Sequence, residues 1–195
     1  MRKLLRGSAS LRTVALAVPL AAALSLVIAP GLAAAVVTPT GVTDTIHIKE
    51  VKGALKFVAP QTVTQGDELE IVNDTNPSRV GPHTFSLVTQ GSLPKTKSAR
   101  RNCFTPKHIC MAISEWHGAT AKSPPSKNPA KAGVEGWSTM GNLNKKGDSW
   151  FTGNKPGTSF SQLVTAEPQT LYFMCAIHPW MQGKITVQAA PVPIP

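Results

Sequence analysis

Several things are scarce in this chain, and each scarcity excludes something. Acidic residues number ten against twenty Lys and Arg in 195 residues, giving a formal net charge of +10. Despite that charge nothing resembles a nucleic-acid-binding motif, so nucleic acid is not an expected partner. Helical periodicity is nearly absent, which turns the fold toward strands. Cysteine occurs three times, an odd number that leaves one thiol over if the other two pair. No cysteine lies near the end of the apolar leader, which argues against a bacterial lipid anchor, and the leader has no twin arginines.

That leader is the first thing present. Arg2, Lys3, Arg6 and Arg12 precede an apolar run from Val14 to Ala29, and Gly31-Leu32-Ala33-Ala34-Ala35 ends it with small residues. A basic head, an apolar middle and a small-residue end predict a secretory signal over residues 1–35, cleaved after Ala35. The alternative is an uncleaved anchor, although the run is slightly short for a bilayer span. Export, to a periplasm or to the exterior and cell envelope, is therefore expected. It would leave one domain, residues 36–195.

An oxidising compartment favours disulfides. Cys103 and Cys110 are seven residues apart around Pro106 and can close a small loop. Cys175 is then the odd thiol, and metal ligation would account for it.

Charge is uneven along the remainder. From Gln90 to Thr158 eleven Lys or Arg stand against three acids, net +8, while the rest of the mature chain carries −2. Such a segment is either a solvated face or an attraction to an acidic partner or an anionic cell envelope.

Short alternating stretches predict strands at Thr45–Lys49, Leu55–Val58, Thr62–Thr64, Leu69–Asn73, His83–Leu87, Phe160–Val164, Leu171–Cys175 and Lys184–Val187. Gln65-Gly66-Asp67 and Glu167-Pro168-Gln169 are turns, Asn73 to Pro82 is a loop, and Pro191 to Pro195 is a disordered tail. The pattern predicts an all-β, antiparallel sandwich or barrel. Residues 90–158 break it. Rich in Lys, Ser, Gly, Pro and Asn, with Trp116, Trp137, Trp150 and Phe151 scattered through it, this segment reads as an ordered insertion packed on the sandwich.

Near the C-terminus Cys175, His178 and Met181 follow one another at intervals of three. Three extended residues span at most roughly 10 Å, so a turning loop can aim a thiol, an imidazole and a thioether at one point. Those donors suit a soft, redox-active copper ion. The missing second imidazole is His83. Strand phase puts His83 with Phe85 and Leu87, and Cys175 with Leu171 and Phe173, so both face inward at strand ends. Taken singly each has a bland reading: a core histidine, a surface histidine, a packing methionine. His47 is read as a strand residue without a metal role, and His108 and His117, flanking Cys110 and Met111, are a weaker candidate for a second copper site.

Phe57-Val58-Ala59-Pro60, Gly66-Asp67, Val72-Asn73-Asp74, His83-Thr84-Phe85 and the run from Tyr172 to Ile185 together resemble the cupredoxins, the small type 1 blue copper proteins. The ligand loop is most like those of amicyanin and plastocyanin-like proteins, and its short gap before the methionine is that of amicyanin. The resemblance implies a cupredoxin-like Greek-key β-sandwich carrying the insertion at about 90–158. It also implies one type 1 copper, with His83, Cys175 and His178 in a trigonal plane and Met181 as a long axial ligand. Pro179 has no N–H to give the thiolate, so the Thr84 amide is the expected donor. Some relatives carry Asn where this chain has Thr84, which puts the bracing of the loop in question.

The function this implies is single-electron transfer by an exported mononuclear copper protein, without enzyme activity. His178 would be the ligand nearest solvent, ringed by Pro179, Trp180 and Met181, with Trp180 and Pro179 the expected docking residues for a redox partner, acidic if the basic segment takes part. A monomer is expected. The alternative is an extracytoplasmic copper carrier without electron traffic. A multicopper oxidase needs His-x-His pairs, and none of the five histidines is so paired.

Overall fold

The computed structural model describes residues 37–120 and 130–191. The signal-peptide reading of residues 1–35 and residues 192–195 of the tail lie outside the described residues.

Among the described residues ten strands form two sheets. One sheet holds β1 (Thr43–Val51), β2 (Ala54–Val58), β4 (Glu68–Asn73) and β8 (Ser159–Leu163), in the order β2-β1-β4-β8. The other holds β3 (Thr62–Thr64), β5 (Thr84–Val88), β6 (Lys131–Ala132), β7 (Ser149–Phe151), β9 (Thr170–Met174) and β10 (Gln182–Gln188), in the order β3-β10-β9-β5-β7-β6. The chain is mostly β, and the two sheets make a sandwich.

Alternation dictates the core. Ile46 and Ile48 of β1 and Leu69 and Ile71 of β4 are fully buried from one sheet, Phe85 and Leu87 of β5 and Leu171 and Phe173 of β9 from the other. Phe57, Phe85 and Phe173 meet with ring centroids 4.9 to 5.9 Å apart, Phe57 standing edge-on to the other two, an arrangement that suits aromatic quadrupoles.

Two pairings depart from the antiparallel expectation: β1 runs parallel to β4, and β3 parallel to β10. The reason is connectivity. Between β1 and β4 the chain visits the opposite sheet through β3, and a crossing connection lets the returning strand run alongside rather than back.

A short helix α1 (Pro77–Val80) precedes β5, and the described residues of 90–158 hold two further α-helices, α2 (Lys97–Arg101) and α3 (Ile109–Trp116), besides β6 and β7. α3 is a departure from the near absence of helix in the sequence reading. It buries Ile109, Cys110, Ala112, Ile113 and Trp116 against Val88, Met174 and Ala176. Cys103 and Cys110 are disulfide-bonded, tying α2 to α3. Trp137 goes deeper. It is fully buried in the sandwich core, edge-on to Phe85, and its indole N–H donates to the Leu69 carbonyl at 3.1 Å. The Asp148 carboxylate, also fully buried, accepts from the backbone N–H groups of Val134, Ser138 and Thr139 at 2.8 to 3.0 Å and from Lys131 Nζ at 3.3 Å.

β5 is buried on both faces: Phe85 and Leu87 enter the sandwich core, whereas Val88 belongs to the second cluster, under α3.

Candidate metal centre

His83 immediately precedes β5, and Cys175 immediately follows β9. These two strands are antiparallel neighbours in register from Ser86↔Met174 to Val88↔Tyr172. The start of one and the end of the other therefore meet at the same edge of the sandwich. Beyond Cys175 the chain turns back at once. The Met181 N–H donates to the His178 carbonyl at 2.8 Å, and the Cys175 N–H to the Met181 carbonyl at 3.0 Å. That closed loop returns His178 over the thiol.

His83, Cys175 and His178 are all buried, and their ligand atoms lie within 4.8 Å of one another. Cys175 Sγ is 3.8 Å from His83 Nδ1 and 3.7 Å from His178 Nδ1, and the two Nδ1 atoms are 3.1 Å apart. Met181 is buried in the same core cluster as Cys175. Among the four side chains His178 is the most exposed, at 8%. Trp180 stands outside it, 52% exposed, with its ring edge-on to the imidazole at 5.1 Å.

The surroundings prepare this triangle for a cation. Asn73 Oδ1 accepts from both the Thr75 N–H at 3.1 Å and the Thr75 hydroxyl at 2.7 Å. With its proton committed, Thr75 Oγ1 can only accept from His83 Nε2, 3.1 Å away. This puts the imidazole proton on Nε2 and leaves the Nδ1 lone pair facing the thiol. The backbone is pinned as well: the His83 N–H donates to Thr152 Oγ1 at 2.9 Å, and the Thr152 N–H to the His83 carbonyl at 3.0 Å.

The Cys175 sulfur receives the N–H groups of Thr84 and His178, each at 3.4 Å. Burial pushes the thiol up, while these amides, that of Ile177 and the Thr84 hydroxyl pull it down. His83 is pushed down to about 4, first by burial and then by His178. His178 is lowered by burial, with the Val80 carbonyl acting against it. Neutral imidazoles and a thiol that loses its proton only to a strong competitor are what a metal requires. Thr84 also braces the loop, because its Oγ1 accepts from the Ala176 N–H at 2.8 Å. Of the residues expected on the rim Trp180 alone is exposed, because Pro179 and Met181 are buried: the loop closes over Met181, and the Pro179 carbonyl accepts from Gln182 Nε2 at 2.6 Å.

The remaining histidines lie elsewhere. His47 Nδ1 pairs with Asp74 at 2.7 Å on the half-exposed face of β1. His108 and His117 cap opposite ends of α3, roughly 13 Å apart along the axis at 1.5 Å per residue, so they do not converge on one ion. Asn73 enters the sequence reading only as a strand end within Val72-Asn73-Asp74, and Thr75 and Thr152 do not enter it at all. The Asn73–Pro82 stretch is rich in turn formers, and nothing in it announces that Thr75 is buried against His83.

The fold and site define a β-sandwich with a buried two-imidazole, one-thiol cluster at one end, a donor set that fits copper. No family model matches the chain, and no curated protein does. Among the solved structures it resembles are cupredoxins and a copper-containing nitrite reductase. A purple cupredoxin from Nitrosopumilus maritimus is 17% identical over 74% of this chain and 99% of that one, with a TM-score of 0.35. Auracyanin A, a blue copper protein from Chloroflexus aurantiacus, is 18% identical over 75% and 98%, with a TM-score of 0.39. A copper-containing nitrite reductase from Thermus scotoductus is 17% identical over 85% of this chain but 25% of its own, with a TM-score of 0.34. At such identities and TM-scores these likenesses carry no argument about this chain, and both the sandwich and the site stand on their own geometry.

Proposed function

We propose that this protein is an exported type 1 copper protein that transfers single electrons. The observation that carries the reading is the buried convergence of His83 Nδ1, His178 Nδ1 and Cys175 Sγ, with Met181 in the same cluster as the weak fourth donor. Copper bound there would supply a one-electron Cu(I)/Cu(II) couple. The chain's own part is to hold the donors still. The Thr75 hydroxyl orients His83, the β5–β9 register fixes His83 against Cys175, and the closed loop from Cys175 to Met181 carries His178. A site that does not rearrange lets an electron pass with little reorganisation.

Saturation by four protein donors favours a carrier of electrons over an enzyme, since no position is left for a substrate. Burial favours retention of the metal over delivery of it. The route out is His178, with the exposed Trp180 beside it. The exposed bases of α2 and its flanks suit an acidic redox partner or an anionic envelope. Among the described residues no helix is long and apolar enough to cross a membrane.

Titration of the purified protein with Cu(II) tests the reading. An intense thiolate-to-copper absorption is expected at one equivalent and is expected to vanish in Cys175→Ser. A colourless protein indifferent to copper overturns it, and loss of the metal to a modest chelator would instead favour a copper carrier.

A further inference from the structure

The outer face of β5 carries a line of buried polar groups leading from the insertion to the thiol. His117, the C-cap of α3, is 1% exposed and places Nε2 2.8 Å from Ser149 Oγ on β7. Ser149 is the cross-strand partner of Ser86 on β5, with the hydroxyls 2.7 Å apart. Ser86 donates to Thr84 Oγ1 at 2.9 Å, two residues along the same face. Thr84 meets the metal loop, accepting from the Ala176 N–H at 2.8 Å and giving its own N–H to Cys175 Sγ at 3.4 Å.

Proton accounting gives the line a direction. Thr84 Oγ1 accepts twice, from Ser86 and from Ala176, so its own proton is left for Cys175 Sγ. Ser86, having given its proton to Thr84, accepts from Ser149. Ser149, having given its proton to Ser86, accepts from His117 Nε2–H. Every donor points from the insertion toward the sulfur, and hydrogen bonds in such a chain polarise one another in a low-dielectric interior.

We propose that His117 is a positioning residue which, through Ser149, Ser86 and Thr84, fixes the hydrogen bonding of the Cys175 sulfur and so sets the reduction potential of the copper held there. This rests on the copper reading above. Hydrogen bonds to the sulfur withdraw electron density that would otherwise favour the oxidised metal, so weakening the line lowers the potential.

The full chain is compared with H117F, H117Q and S149A. Phenylalanine keeps an aromatic ring beside Phe151, whose centroid lies 6.0 Å away, but removes the donor. Glutamine restores an N–H. Redox titration of the copper-loaded proteins is expected to show the Cu(I):Cu(II) ratio at a fixed potential lowered by about three- to tenfold in H117F and S149A, tenfold being about 59 mV for one electron. Amide hydrogen exchange of the copper-free proteins is expected to show the Ala176 N–H exchanging about threefold faster or more in the same two variants, with H117Q within about twofold of the parent in both measurements. A folded H117F with the parent's potential or the parent's Ala176 exchange overturns the proposal, as does an H117Q that behaves like H117F. Should H117F not fold, S149A, which deletes a single hydroxyl, decides in its place. If the chain takes up no copper the functional reading fails on its own, and the exchange rates alone decide whether His117 positions the loop.

Discussion

His83 Nδ1 and His178 Nδ1 stand 3.1 Å apart, although ninety-five residues separate them in the chain. Two buried imidazoles this close cannot both be protonated without cost, and both titrate low: His83 is pushed down to about 4, and His178 is lowered as well. The unfolded chain takes up the same protons near the ordinary 6.5 of an imidazole. Between roughly pH 6.5 and 4 the unfolded state therefore binds more protons, and stability is lost as pH falls through that window. Denaturant melts of the copper-free protein from pH 7.5 to 4 are expected to show this decline, and His83→Gln to flatten much of it. A parent melt independent of pH would refute the assignment.

Thr75 is expected to matter to the metal more than to the fold. Thr75→Val keeps the shape but removes the acceptor for His83 Nε2–H, so the ring is no longer held with its Nδ1 lone pair facing the thiol. Groups that orient a metal-bound histidine are typically worth about 10- to 100-fold in affinity, whereas losing one neutral hydrogen bond costs about 1 kcal/mol of stability. Competition with a chelator of known copper affinity, alongside a denaturant melt, separates the two. Equal copper affinity in parent and variant would mean that packing alone holds the ring.

How far the site could be read from the sequence depends on what each residue had to reveal. Cys175, His178 and Met181 are visible because their chemistry and spacing are local, and His83 because strand phase puts it on the inward face with Phe85. Thr75 is not visible, since its burial depends on how the loop after β4 returns over His83. The parallel pairing of β1 with β4 is likewise unwritten, because period-2 alternation records which face is buried and not which way a neighbour runs. α3 did leave a trace. Ile109, Cys110, Ala112, Ile113 and Trp116 keep a helical period, masked by the cysteine, serine and histidine residues among and beside them and by the short length of the segment.

Asp148 is expected to be a stability residue of residues 90–158. Its two oxygens serve three backbone N–H groups and Lys131 Nζ while fully buried. Asp148→Ala leaves those donors unsatisfied and a lysine without its carboxylate, a loss of about 3–5 kcal/mol. A denaturant melt reads this directly. A cost under about 1 kcal/mol would show that water or a shifted backbone replaces the carboxylate.

Charge is expected to govern who reaches the copper. Lys95, Lys97, Arg100, Arg101 and Lys107 are exposed, and residues 75–114 contain no acid. The segment is tied to the ligand loop, because the Pro94 carbonyl accepts from both Gln182 Nε2 and Arg100 Nε at 3.0 Å, and Gln182 also bonds the Pro179 carbonyl. Positive potential is therefore expected beside Trp180 and His178, the proposed exit for an electron. The reduced copper protein is expected to pass its electron to hexacyanoferrate(III), an anion, faster at low salt than at high. The double variant Lys97→Glu with Arg101→Glu is expected to slow that reaction about tenfold at low ionic strength while leaving the visible spectrum unchanged. With a cationic cobalt complex as oxidant the same variant is expected to react faster than the parent. The curves for parent and variant are expected to merge near 1 M salt, where the Debye length falls to about 3 Å. Identical rates for both oxidants in parent and variant would place the route of electron exit away from α2.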